Sequence, residues 1–367
     1  MRYYIIAGEA SGDLHGANLI AALQKKDSAA VFRFWGGDSM SIYAGEPVTH
    51  IRKMAFMGFA EVMMNIRTIF SFFRKAKKDI IAFQPDVLIL IDYPGFNLRM
   101  AEWAKRRGMK VVYYIVPQVW AWHKSRVWKL KKYTDLLIPV LPFEEQFLKN
   151  YNCRVKYLGH PLLDETEPFL EKAGKREKDN KLLALLPGSR KQEIKAMLPV
   201  FLKAARELNI PFVIAAAPSI PDLFYTEIIK LHGFSSESNI LSRSGTYKVL
   251  QNATFAFVTS GTATLETALL GVPQIVCYKA NKISYYIARM LVDLKYISLV
   301  NLIMDKGIVT ELIQSDFNVR NLTSVYHRLH NEMAALEMKS GYDELRLKLG
   351  GKGASERVAE AILELLS

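Results

Sequence analysis

The stretch Asn252–Gln274, NATFAFVTSGTATLETALLGVPQ, leaves a chain few ways to fold. Phe255–Val258 is apolar without a break and reads as a buried strand. Thr259-Ser260-Gly261-Thr262 reads as the turn after it. Ala263–Leu270 reads as a helix, closed by Gly271 and followed by Pro273. A strand without alternation that passes straight into a helix belongs in a parallel sheet covered on both faces. The small turn leaves backbone N–H groups pointing at one spot. The helix dipole adds positive potential there, so the spot suits a phosphate. Glu266 follows Thr262 by four residues and shares its helix face. Its carboxylate cannot favour phosphate, but it accepts hydrogen bonds from a ribose or sugar diol, so the unit suggests a sugar nucleotide. An ordinary βα turn with Ser/Thr capping and a solvent-facing Glu explains the same residues. The stretch alone does not choose between the two.

The pattern recurs along the chain. Strands are expected at Tyr3–Ala7, Val31–Trp35, Asp86–Ile91, Lys110–Val116, Leu136–Val140 and Val155–Leu158. After a Glu/Lys/Asp/Pro-rich connection from Pro161 to Lys181, more follow at Leu182–Leu186, Phe212–Ala216, Phe255–Val258 and Ile275–Tyr278. After about Ser340 only an amphipathic helix, Ala354–Leu366, is expected. The fold class is therefore α/β, with two Rossmann-like doubly wound domains, each binding beyond the carboxyl ends of its strands and facing the other across a cleft. The expected domains are residues 1–165, on the acceptor and membrane side, and residues 166–344, for the nucleotide. The tail from about 345 to 367 either packs back on the first domain or swaps between subunits, which leaves a homodimer open.

The net charge of +13 is concentrated. Arg52–Lys78 carries +6 and Ala101–Lys132 carries +8, so the remainder is near neutral. Such a face needs an anionic partner: nucleic acid, an acidic membrane surface or a phosphorylated substrate. No RNP, helix-turn-helix or zinc-finger pattern supports nucleic acid. The two cysteines are far apart and the seven histidines lack ligand spacing, so neither a disulfide framework nor a metal is expected. With no signal peptide at the start and no apolar run of about 18 residues, a cytoplasmic location is expected.

Four stretches carry candidate chemistry. Gly8-Glu9-Ala10-Ser11-Gly12-Asp13 ends the first strand without the G-x-G-x-x-G spacing. It reads either as an acceptor pocket using Glu9, Ser11 and Asp13, or as a tight turn with Ser or Asp as helix cap. Asp92, at the end of the apolar run Val87–Ile91, is placed as a general base would be, or caps the turn before Pro94. Leu186-Pro187-Gly188-Ser189-Arg190 frees backbone at Ser189 and offers the forked guanidinium of Arg190 to phosphate. Between Met57 and Phe73, the residues Phe59, Val62, Met63, Ile66, Ile69, Phe70 and Phe73 make one apolar stripe, expected to be core. Met57, Met64 and Phe72 fall outside it. With Arg74 and Lys75 among the flanking cations, they fit an interfacial anchor, or a face packed against a loop or subunit.

Taken together, AGEASGD (Ala7–Asp13), IDYPGFN (Ile91–Asn97), PQVWAW (Pro117–Trp122), LLPGSR (Leu185–Arg190), SGTATLE (Ser260–Glu266) and SLVNLI (Ser298–Ile303) resemble the lipid-A-disaccharide synthases, glycosyltransferase family 19. The resemblance spans residues 7–303, with the motifs in family order. It implies a GT-B fold and inverting transfer of 2,3-diacylglucosamine from UDP to the 6-hydroxyl of 2,3-diacylglucosamine 1-phosphate. The product implied is the β-1,6 disaccharide 1-phosphate, with no cofactor and no bound metal. By the same resemblance Asp92 is the base, Glu9 and Ser11 lie on the acceptor side, and Glu266 holds the ribose. Ser260, Gly261, Thr262 and Arg190 take the diphosphate, and Asn301 stands beside the donor. The enzyme is then peripheral on the cytoplasmic face of an anionic inner membrane.

Three positions depart from the family pattern. Val300 stands where proline is usual, His123 where arginine is, and Gly95 where an acidic residue often sits, so no second carboxylate backs Asp92 within its own loop. The rival readings are another UDP-sugar enzyme on the same scaffold, such as a 2-epimerase or a transferase with a soluble acceptor, and a non-enzymatic adaptor that has lost Asp92, Arg190 or Glu266. All three are present.

Overall fold

The computed structural model describes residues 1–54, 66–121, 125–172, 181–234, 240–280 and 295–367. The chain divides into two compact units, Met1–Asp164 with Gly350–Ser367, and Glu165–Leu349.

The first unit runs β1 (Arg2–Ala7), α1 (Ala10–Lys26), β2 (Val31–Gly36), α2 (Asp38–Ala44), β3 (Thr49–His50), α3 (Ile66–Phe83), β4 (Val87–Ile91), α4 (Pro94–Lys105), β5 (Lys110–Tyr114), α5 (Arg126–Tyr133), β6 (Leu136–Ile138) and α6 (Pro142–Lys149). α7 (Leu163–Lys172) leads into the second unit. That unit runs β7 (Leu183–Leu186), α8 (Lys191–Leu208), β8 (Phe212–Ala215), α9 (Asp222–Leu231), β9 (Leu241–Ser242), α10 (Thr246–Asn252), β10 (Phe255–Thr259), α11 (Thr262–Leu269), β11 (Gln274–Tyr278), α12 (Leu299–Met304), β12 (Thr310–Ile313), α13 (Val319–Leu329) and α14 (Glu332–Lys348). α15 (Ala354–Leu366) returns to the first.

Both sheets are parallel, in the orders β3-β2-β1-β4-β5-β6 and β12-β11-β10-β7-β8-β9. Each is the doubly wound Rossmann order, and in each the winding reverses once, between β1 and β4 and between β7 and β10. Ligands of open α/β sheets bind at that switch point, beyond the carboxyl ends of the two strands. Ala7 pairs with Ile91, and Leu186 with Val258. The register therefore sets the turn at Gly8 beside the one at Asp92, and the turn at Pro187 beside the one at Ser260.

Alternate residues of each strand feed opposite cores, as the pleat requires. In the first unit Tyr4, Ile6, Leu88 and Leu90 pack with α3, α4 and α5. Tyr3, Ile5, Val87 and Ile89 pack with α1 and with Val358, Ala359 and Ile362 of α15. In the second unit Leu183 and Leu185 pack with α8 and α13, and Ala184 and Leu186 with α10.

Four features differ from the expectation. Val155 makes a single bridge to Leu137 instead of opening a strand, because the edge strand it would pair with is only three residues long. The polar connection after Pro161 contains α7, which carries Pro168 within it. α14 precedes the C-terminal helix. The short or polar edge strands β3, β9 and β12 lack the apolar run that marks the inner ones.

Candidate functional site

At the first switch point the chain leaves β4 through two consecutive left-handed residues, Asp92 (φ 45°) and Tyr93 (φ 48°). Non-glycine residues rarely adopt this conformation, and here three hydrogen bonds enforce it. The Asp92 N–H donates to the Tyr114 carbonyl at 3.0 Å. The Asp92 carbonyl accepts from the Tyr113 hydroxyl at 2.7 Å and from Asn97 Nδ2 at 2.8 Å. The Tyr93 ring lies over Gly8, where an added Cβ would sit 2.3 Å from it, so the glycine is required by close approach. The Asp92 side chain is half-buried. Burial, and then the negative charge of Glu9, push its carboxyl up to about 6, while a hydrogen bond from the Tyr93 backbone pulls the other way.

Glu9 is half-exposed and Ser11 exposed at the start of α1, whose N-terminus no side chain caps. Asp13 corrects the expectation. It is 3% exposed, and its carboxylate accepts from the backbone N–H groups of Gly37 (2.6 Å), Ser39 (2.9 Å) and Met40 (3.2 Å). It closes the start of α2 and has no reach left for an acceptor.

Sequence reasoning missed a second carboxylate. Glu144, 2% exposed in the first turn of α6, accepts from Trp120 Nε1 at 2.9 Å and from the Leu141 N–H at 3.0 Å. Burial pushes its carboxyl up to about 7, with the Asp92 charge adding to the shift. The signal available was a Leu-Pro-x-Glu helix start directly after a strand.

At the second switch point α11 begins at Thr262 with no side chain capping its N-terminus. The Ser260 N–H donates to the Cys277 carbonyl and its hydroxyl to the Ile297 carbonyl, each at 2.9 Å. Ser260 therefore fixes the turn, leaving Gly261 and Thr262 at the open helix end. Glu266 is half-buried one turn further in. Burial pushes it up to about 7, opposed by a hydrogen bond from Tyr247, a residue the sequence did not single out.

Across the register the amides of Ser189 and Arg190 are already occupied, donating to Glu193 Oε2 at 3.0 and 3.2 Å. The expectation of free backbone at Ser189 is thereby corrected, since Glu193 stands where an anion would. The Arg190 guanidinium is exposed and lies 3.5 Å from Glu193 Oε1.

Asn301 also corrects its expected role as a direct ligand. It is 1% exposed, Nδ2 donates to Val309 O (2.9 Å) and Glu311 Oε1 (2.8 Å), and Oδ1 accepts from Ile308 N (2.8 Å) and Val309 N (3.0 Å). Both amide protons and both lone pairs are spent. Glu311 in turn receives the N–H groups of Ile297 and Ser298, so the network holds the carbonyl on which Ser260 rests.

Of the expected anchor residues, Met57 and Met64 lie outside the described residues. Phe72 is half-buried and edge-on to Trp35 at 5.9 Å, so it packs on the core. Phe70, expected in the core stripe, is instead 64% exposed, while Phe73 is buried. Lys75 donates to the Val48 carbonyl (2.6 Å) and Thr49 Oγ1 (2.9 Å), which turns it to the sheet edge. Arg74 is exposed. No cluster of three or more candidate metal ligands occurs among the described residues.

The family model described as Lipid-A-disaccharide synthetase matches residues 3–364. A lipid-A-disaccharide synthase of Syntrophus aciditrophicus is 39% identical over 374 residues, covering 99% of this chain and 97% of that protein. One of Geobacter metallireducens is 35% identical, covering 100% and 97%. Among solved structures, a UDP-GlcNAc 2-epimerase of Neisseria meningitidis bound to UDP-GlcNAc superposes with a TM-score of 0.71 at 14% identity, over 99% of this chain and 100% of that one. At that identity the likeness is one of fold. The two Rossmann-like sheets, the turns at their switch points and the full-length sequence matches agree: the chain belongs to the lipid-A-disaccharide synthase family of glycosyltransferases.

Proposed function

We propose that the chain transfers 2,3-diacylglucosamine from UDP to the 6-hydroxyl of 2,3-diacylglucosamine 1-phosphate, with inversion, releasing UDP and the β-1,6 disaccharide 1-phosphate. The observation that carries this reading is the placement of the two chemistries. The Asp92 carboxylate is raised toward neutrality at one switch point, and an uncapped helix end with the Glu266 carboxylate one turn in lies at the other. As the acceptor oxygen bonds to the anomeric carbon, Asp92 takes its proton and the bond from that carbon to the diphosphate oxygen breaks. The open end of α11 and the Arg190 guanidinium stabilise the charge arriving on the leaving diphosphate. Glu266 accepts from the ribose diol, and Glu9 and Ser11 border the acceptor.

The lipid substrates bring the enzyme to the cytoplasmic face of an anionic inner membrane, where it is peripheral. No helix among the described residues is long and apolar enough to cross a membrane. The test is UDP release by purified protein given both lipid substrates, with and without chelator. Steady release in both conditions is expected. Epimerised UDP-sugar formed without acceptor and without net UDP release would replace this reading with an epimerase. Loss of activity on chelation would remove the metal-free mechanism.

A further inference from the structure

Trp120 and Glu144 share the rim of the first sheet with Asp92 and have no part in the transfer as written above. Trp120 follows β5 and Glu144 follows β6, and β4, β5 and β6 are consecutive neighbours. The Asp92 N–H bonds to the last residue of β5, so the segment carrying Trp120 leaves the sheet next to the base. The indole is half-exposed and held at two edges. Its N–H donates to Glu144 at 2.9 Å, and its ring meets Phe143 edge-on, 4.9 Å between centroids at 86°.

Glu144 itself pairs with no cation among the described residues. A buried carboxylate without a cation costs stability, and an apolar or neutral residue there would avoid that cost. A carboxylate does what a neutral amide cannot: its two oxygens take the indole N–H and the Leu141 N–H together, fixing the ring plane with charge-assisted bonds. A fixed, half-exposed indole on the rim that also carries the proposed base suits a pyranose, whose axial C–H bonds make one face apolar.

We propose that the Trp120 indole, held by Glu144, is the platform on which the acceptor pyranose lies, so that its primary hydroxyl meets Asp92. Trp120 sets acceptor specificity, and Glu144 is a positioning residue acting through it. The assignment rests on the transferase reading, and wild-type turnover is therefore measured first. No transfer by the wild type would sink that reading rather than this one.

With turnover established, Trp120→Ala should raise the acceptor KM about tenfold or more, with the UDP-sugar KM within about twofold. Trp120→Phe, which keeps an aromatic face, should retain most acceptor affinity. Glu144→Gln keeps the volume but has only one oxygen for two N–H donors, and should raise the acceptor KM several-fold with the donor KM unchanged. An acceptor KM within twofold of wild type in Trp120→Ala overturns the platform, as does a parallel rise in both KM values. Should that variant fail to fold, Glu144→Gln decides, and an unchanged acceptor KM overturns the proposal.

Discussion

At the scale of single residues, the turns were legible and their internal partners were not. Gly8, Asp92, Gly188 and Ser260 announce strand ends, because small or left-handed residues at the end of an apolar run have few other uses. What a polar side chain bonds to depends on segments far away in sequence. Asp13 is taken by α2, and Asn301 by the approach to β12, and neither partner shows locally. Two of the three raised carboxylates, Asp92 and Glu266, give pH predictions. As the proposed base, Asp92 acts only when ionised, so kcat with both substrates saturating should be flat above about pH 6 and fall tenfold per unit below it. Its folded value lies above the ordinary one of 3.8, so folding stability declines as pH rises from 3.8 through about 6 and stays low beyond. Asp92→Asn should therefore melt higher than wild type at pH 7.5 while losing about a hundredfold or more in turnover with UDP affinity intact. A rate within about tenfold, roughly 1.4 kcal/mol of barrier, would remove Asp92 as base. Ionised, Glu266 accepts from both hydroxyls of a diol with charge-assisted bonds that protonation weakens, so calorimetric UDP affinity should weaken as pH falls through about 7, and Glu266→Gln should flatten that profile. A pH-independent wild-type affinity between 6 and 8 would exclude a charge-assisted contact from Glu266 to the diol.

Among the elements, inner strands were readable from composition because parallel strands buried on both faces carry nothing polar. β12, with Thr310 and Glu311, is an edge strand whose polar residue serves a neighbour, and so escaped notice. The turn from β4 to α4 shows how neighbouring elements fix the backbone of the proposed base. β5 supplies the Tyr113 hydroxyl and α4 supplies Asn97, and both reach the Asp92 carbonyl. Tyr113→Phe removes one of these bonds and leaves the ring in its core, at a net cost to stability of about 1 kcal/mol. A left-handed residue with one restraint fewer samples other conformations, so kcat should fall several-fold while both KM values hold. Melting temperature and steady-state kinetics measured side by side check this. An unchanged kcat would show that Asn97 and the Tyr114 carbonyl suffice to hold the turn.

For the whole molecule, the charge imbalance was visible in the sequence, and its placement follows from the layers of the first unit. Most of the basic residues in the two stretches lie on or just after α3, α4 and α5, which cover the same face of the first sheet. The acidic residues of these helices are paired, Asp79 with Arg33 of β2 and Glu102 with Arg106. What this layer presents outward is cationic and aromatic: Phe70 at 64% and Trp128 at 59% exposure, with Arg74, Lys78, Arg106, Arg107, Lys129 and Lys132 exposed around them. Lys77 and Arg107 flank the Trp103 ring at 5.7 and 5.0 Å, so some of the cations are held close to aromatic surface. An anionic bilayer matches such a layer, since each basic residue near the surface contributes about 1 kcal/mol and exposed rings settle at headgroup depth. These charges are exposed, and salt screens them within about 10 Å at 0.1 M. The protein should therefore sediment with phosphatidylglycerol vesicles at low ionic strength, stay in solution with phosphatidylcholine vesicles, and leave the anionic ones as salt is raised. Reversing Lys78, Arg107 and Lys132 together to Glu should abolish sedimentation with little change in melting temperature, because none of the three has a carboxylate partner among the described residues. Binding to both vesicle types alike, or to neither at low salt, would separate this basic layer from the anionic membrane surface and leave the phosphorylated substrates themselves as its anionic partners.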